Sequence, residues 1–298
     1  MKIKTIKFGL LLTTLSILLS GCDNTHNQGF AEVNGAKLFY KISGKGTPIV
    51  LIHGFSFDSR CWDYQIPALK KKYQVICYDL RGFGQSSLPV LNQPYSHTKD
   101  LLSLMDYLGI DKAILLGHSY GGRIAIECAL NHPERVIGLI LPEGAMDATD
   151  MNLGKELDEL MTWVRSTWSA AKNEGIDKAK DIWINGSPLL PAMQNEHSAT
   201  LVKKMIDDYS AWHWVNNDPH VGFESYSVNK LKSILVPALI MYGSDSPIGY
   251  LKIAEIQHDN IPNSKLVEIS NAAHALNIEN SVQFNHEILT FLKETKIR

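Results

Sequence analysis

The chain has 298 residues, 45% of them hydrophobic, and a formal net charge of -2 at pH 7. That is enough apolar material for one large α/β core with an insertion, and it argues against a disordered chain. The near balance of charge provides neither a basic surface for nucleic acid nor an acidic tail for a cationic partner.

The start, MKIKTIKFGLLLTTLSILLSGC, places lysines before an apolar stretch from Phe8 to Leu19 and small residues after it. This pattern predicts an export leader over residues 1–21 that takes no part in the fold. Its end, LSGC, resembles the lipobox of bacterial lipoproteins, which implies cleavage before Cys22, acylation of that cysteine and a membrane anchor on the extracytoplasmic side. Asp23 resembles an inner-membrane retention signal. Residues 22–30 are expected to form a polar tether. Cys61, Cys77 and Cys128 show no metal spacing and read as buried free thiols, and no H-E-x-x-H or Cys/His cluster is present, so neither metal nor cofactor is expected.

From Ala31 onward, strand-like runs such as AKLFYKISG, PIVLIHG, YQVICYDLRG, KAILLGHS, VIGLILPEG, PALIMYGSD and KLVEISNAAH are interleaved with amphipathic stretches. The alternation predicts a mostly parallel sheet covered by helices, over residues 31–143 and 231–298. Between residues 144 and 230 the strand runs stop and helical patterns take over, which predicts an inserted helical cap.

Three segments carry the chemistry. In AILLGHSYGGRIAIECAL, Gly117, Ser119 and Gly121 form G-x-S-x-G between a strand and a helix, the setting of a nucleophile elbow. In PIVLIHGFSFDSRCW, Gly54 allows close backbone approach, so the N–H groups of Phe55 and Tyr120 are candidates for an oxyanion hole. His53 and His118 read as structural, with His118 expected to point away from the nucleophile. Near the C-terminus, His274 lies in a loop between a strand and the last helix and is the candidate general base.

HGF, YDLRGFGQSS, GHSYGG and AAHALNIENSVQFNHEILTFL together resemble segments of the α/β-hydrolase superfamily, in its order, from about Phe39 to Leu292 outside the cap. The resemblance implies a Ser-acid-His chain order and structural roles for Asp79 and Arg81. Two carboxylates qualify as the acid. Most members similar to this chain carry the acid after the later strand, where YGSDSPIG places Ser246 at the usual position and Asp245 one residue early. Glu143, in LILPEGA, follows Ser119 by one helix and one strand, and some branches of the superfamily take the acid from there. Glu143 is the favoured acid and Asp245 the alternative.

Trp163, Trp168, Trp183, Trp212 and Trp214 fall in the cap and are candidates for substrate contact or for packing. The cap region carries 13 acidic and 8 basic residues between Gly144 and Lys230, a solvated face or a pocket for a substrate amine. The expected function is hydrolysis of a small or medium carboxylic ester or lactone through an acyl-enzyme on Ser119. Alternatives with the same residues are a carbon–carbon bond hydrolase, an aminopeptidase or a perhydrolase, and a different class is a non-catalytic ligand-binding protein on the same fold.

Overall fold

The computed structural model describes residues 27–146, 151, 153–222 and 226–297. The expected leader over residues 1–21, Cys22 and Asp23 lie outside the described residues. Eight strands form one sheet: β1 (Asn27–Val33), β2 (Ala36–Ser43), β3 (Thr47–Ile52), β4 (Tyr73–Tyr78), β5 (Ala113–Gly117), β6 (Val136–Pro142), β7 (Ala238–Gly243) and β8 (Ser264–Ile269). Their order is β1-β2-β4-β3-β5-β6-β7-β8, and only β1/β2 and β2/β4 pair antiparallel. This mostly parallel sheet, flanked by helices, is the expected fold class.

The first strand corrects the expected tether, because pairing begins at Asn27, opposite Ile42. Asn34 and Gly35 take φ of 49° and 74°, the left-handed conformations that a two-residue hairpin loop needs to match the twist of its strands. With its backbone groups paired to β2, the segment becomes an edge strand. Among the described residues, the sheet and its covering helices lie at or after Asn27.

The helices in chain order are α1 (Ile66–Leu69), α2 (His97–Tyr107), α3 (Tyr120–Asn131), α4 (Asp158–Asn173), α5 (Ile176–Ile184), α6 (Leu190–Gln194), α7 (Glu196–Asp208), α8 (Trp212–Val215), α9 (Ile248–Asn260), α10 (Leu276–Glu279) and α11 (Ser281–Glu294). Local chemistry sets their ends. Ser96 accepts a hydrogen bond from Lys99 N to cap α2, and Leu101, Leu104 and Met105 then bury one stripe of that helix.

Helices α4 to α8 lie in the insertion between β6 and β7. Deep in the sheet, Ile49, Leu51, Ile52, Ile114, Leu115 and Leu116 are fully buried, as expected for parallel strands covered on both faces. Cys61, Cys77 and Cys128 are buried free thiols. Among the described residues no helix is long and apolar enough to cross a membrane.

Candidate active site

Strand β5 ends at Gly117 and α3 begins at Tyr120, so the chain must reverse across His118 and Ser119. Ser119 accommodates this with φ 51° and ψ −115°, a conformation rare for a residue with a side chain and found chiefly at functional turns. The flanking glycines are sterically required. A Cβ on Gly117 would fall on the Gly121 carbonyl, and one on Gly121 would fall on the Ile52 carbonyl.

The tip of β6 laps over this turn. Ser119 N donates to the Pro142 carbonyl at 3.2 Å, and Ala145 N donates to the Ser119 carbonyl at 3.0 Å. Between them sits Glu143, with φ 49° and its own N–H bonded to Met241 O at 2.8 Å. Its carboxylate is buried. Glu143 Oε1 accepts from Gly243 N and from Ser246 Oγ, each at 2.7 Å, while Oε2 faces His274 Nδ1 at 3.5 Å. On the other side of the ring, His274 Nε2 lies 3.0 Å from Ser119 Oγ.

Asp245 is elsewhere. It is exposed, its Oδ1 accepts from Ser244 Oγ at 2.8 Å, and the carboxylate at the imidazole is that of Glu143. The alternative acid is therefore not brought to His274. Ser246, in the position the acid usually takes, instead donates a hydrogen bond to Glu143.

Burial pushes Glu143 up to about 7, opposed by the Gly243 and Ser246 donors, and pushes His274 down to about 3. Desolvation thus favours a neutral imidazole, the form able to accept a proton from Ser119.

Two residues that the sequence did not single out, Glu279 and Tyr250, together with His118, hold His274 in place. Glu279 spans its loop, accepting from Ala273 N at 3.1 Å and Ala275 N at 2.9 Å. The Tyr250 ring stacks on the imidazole at 4.4 Å. His118 corrects an expectation, since it does not point away. Its Nε2 donates to the His274 carbonyl at 2.6 Å, and the two rings lie 4.8 Å apart. A glycine at 54 leaves room for this ring, because a Cβ there would lie 2.6 Å from His118 Nδ1.

His53 is structural: its Nδ1 donates to Gly54 O at 2.8 Å and its Nε2 accepts from Leu80 N at 2.9 Å. Asp79 accepts from Ser59 N and Gln85 N, and Arg81 forks onto Asp100, so both are scaffold residues.

A cavity of about 300 Å³ opens over Ser119. Phe55, Tyr120, Trp163, Trp168, Trp183 and Tyr250 make it largely aromatic, and Arg123 is its one cation. Trp183 Nε1 donates to Ser56 Oγ at 2.7 Å and its ring stacks on Trp163 at 3.8 Å, which ties the cap to the loop after β3.

Trp212 and Trp214 do not line this cavity. Trp214 is fully buried behind Trp183, with ring centroids 5.7 Å apart, and Trp212 packs on His213. Of the five tryptophans, three face the site and two pack the cap. Among the described residues no cluster of side chains suits a metal ion.

The family model described as "Alpha/beta hydrolase family" matches residues 49–287. The chain is 27% identical over 274 residues to a putative carbamate hydrolase, RutD, of Azorhizobium caulinodans, covering 89% of this chain and 98% of the relative. It is 29% identical over 232 residues to a pimeloyl-[acyl-carrier protein] methyl ester esterase of Legionella pneumophila, covering 78% of this chain and 89% of the relative. Among solved structures, the enol-lactonase from Burkholderia xenovorans LB400 superposes with a TM-score of 0.73 at 26% identity, covering 89% of this chain and all of the other.

Proposed function

The chain belongs to the alpha/beta hydrolase family, and from that premise we propose that it hydrolyses a small or medium carboxylic ester or lactone through an acyl-enzyme on Ser119. The carrying observation is that one imidazole, His274, meets Ser119 Oγ at 3.0 Å through Nε2 and faces Glu143 through Nδ1.

In this reading His274 removes the Ser119 proton as Oγ attacks the carbonyl carbon. Glu143 orients the ring and stabilises its protonated form. Negative charge develops on the former carbonyl oxygen, and the N–H groups of Phe55 and Tyr120, on either side of the turn at Ser119, are assigned to hold it. Tyr120 opens α3, so the helix dipole acts in the same sense. His274 returns the proton to the leaving alkoxide, which departs as the alcohol or, from a lactone, stays attached as a hydroxyl. Water activated by the same imidazole then releases the acid and restores Ser119.

Support for the substrate class comes from the aromatic cavity and from relatives named as a methyl ester esterase and an enol-lactonase. The test is labelling by a fluorophosphonate probe followed by a screen of ester chain lengths, lactones and amino-acyl arylamides. Labelling of the parent but not of Ser119→Ala, with turnover of esters or lactones, is expected. Neither labelling nor turnover would replace this reading with the ligand-binding one, and labelling without turnover would replace it with one of the other enzymes that share these residues.

A further inference from the structure

The end of the sheet opposite Ser119 is basic. Parallel strands β3 to β8 all begin there, and α11, which runs back from the site, ends there, its final residues packing at Tyr73, whose hydroxyl donates to Ile297 O at 3.3 Å. Lys45 precedes β3, Lys71 and Lys72 precede β4, Lys112 precedes β5, and Lys293 and Lys296 close the C-terminus. All six are exposed, and none pairs with a carboxylate among the described residues. The carboxylates interspersed at this end are Asp106, Asp111, Glu134, Asp259 and Glu294, of which Asp106 pairs with Arg135 at 2.6 Å and Glu294 with Lys265 at 3.5 Å.

Between the lysines runs an open groove of about 640 Å³, lined by Lys72, Lys293 and Lys296 together with Leu289, Leu292 and Ile297. Leu292 is buried and Leu289 and Ile297 are part-buried, so this surface offers chiefly cationic charge, which suits anionic headgroups.

The chain also enters the fold at this end. Asn27 pairs with Ile42, and Ser43 beside it pairs with Val75, early in β4. Cys22 precedes Asn27 by five positions, a reach of at most about 18 Å even when fully extended.

We infer that this end of the sheet, marked by Lys45, Lys71, Lys72, Lys112, Lys293 and Lys296, docks on an anionic lipid bilayer and turns the mouth of the Ser119 cavity away from it. An acyl anchor on Cys22 would hold the same end toward the same membrane, so tether and charge act together. The substrate then arrives from water and not laterally from the lipid. The inference is independent of which bond Ser119 cleaves. The competing surface is at the site end, where Leu88, Val90 and Leu91 are about half exposed in the loop between β4 and α2.

The test uses the chain from Asp23 onward, without an anchor, and vesicles of phosphatidylglycerol and phosphatidylcholine or of phosphatidylcholine alone. At about 50 mM salt it should sediment with the anionic vesicles at least about tenfold more than with the neutral ones, and lose most of this at about 500 mM. A variant with Lys71→Glu, Lys72→Glu, Lys293→Glu and Lys296→Glu should lose it while keeping its circular dichroism.

Orientation is read separately, since Cys61, Cys77 and Cys128 are buried and a single introduced thiol can be labelled. A donor dye at Lys45→Cys should transfer energy to an acceptor lipid more efficiently than one at Val282→Cys, at the exposed start of α11. Equal or reversed efficiencies, equal binding to both lipids, or unchanged binding by the charge-reversed variant would each overturn the inference. Reversal would identify the Leu88–Leu91 loop as the membrane contact.

Discussion

Two strand tips that neighbour each other in the sheet, those of β6 and β7, each carry a carboxylate, and the structure treats them oppositely. Glu143 is 2% exposed, sits on left-handed backbone, and is surrounded by the Gly243 N–H, the Ser246 hydroxyl and the His274 ring. Asp245 is exposed and bonds only to its neighbour's side chain and, through its N–H, to Ala272 O. A carboxylate can orient an imidazole only where it is desolvated beside it, so the role belongs to a place in the fold and can be filled from either strand. Here β6 fills it and β7 supplies a hydrogen-bond donor.

The sharpest way to break this comparison is to neutralise each acid alone. Glu143→Gln keeps the shape and should lower kcat for an ester by about a thousandfold or more, the scale seen when the acid of such a triad is made neutral, while Asp245→Asn stays within about twofold. The opposite ranking would return the acid role to Asp245. Because Ser246 Oγ already touches the Glu143 carboxylate, the double variant Glu143→Gln/Ser246→Asp would move the charge to the tip of β7. Recovery of about tenfold or more over Glu143→Gln would show that the two strand tips are interchangeable donors of charge.

Glu279 provides a smaller effect of a different kind. It does not touch Ser119, but it holds the backbone on both sides of His274. Glu279→Ala leaves two buried N–H groups without an acceptor and should lower kcat by about ten- to a hundredfold, together with Tm. Glu279→Gln, which can still accept at one oxygen, should recover part of both. Equal loss of kcat in the two variants would mean that its charge, not its bracing of the loop, is what matters.

The sheet and the Ser119 turn were legible because each rests on local rules: short β-rich runs, and glycines where a strained turn excludes a Cβ. Glu143 was legible from its place one helix and one strand after Ser119 and from an absence, the serine at 246, but that residue's donation to Glu143 was not. Glu279 was missed because its spacing to His274 looks like an ordinary helix start, and its role depends on how the loop closes over it. His118 was expected to point away by sequence adjacency, yet the tight approach at Gly54 lets its ring reach the His274 carbonyl. The first strand had a clear signal, Asn34–Gly35 between alternating apolar residues, which the polar composition around it obscured.

The smallest expected effect is on stability, and it follows from the burial of Glu143. Its value rises from 4.5 to about 7 in the fold, so between those values the folded chain holds a proton that the unfolded chain has released. Its contribution is fully present below about 4.5 and is lost as pH rises through about 7. Buried histidines such as His118, which burial holds well below the usual imidazole range, work in the opposite sense and lose stability as pH falls. The absolute Tm profile mixes the two, but the difference between Glu143→Gln and the parent cancels the histidines remote from residue 143, leaving Glu143 and the His274 ring that it faces at 3.5 Å. Gln at 143 can still accept from Gly243 and Ser246, so the variant's Tm relative to the parent should climb by a few degrees between pH 5 and pH 8. A flat difference would mean that the carboxylate is already ionised at pH 5, held so by a charged His274, and the neutral forms that burial favours for both groups would have to give way to an ion pair.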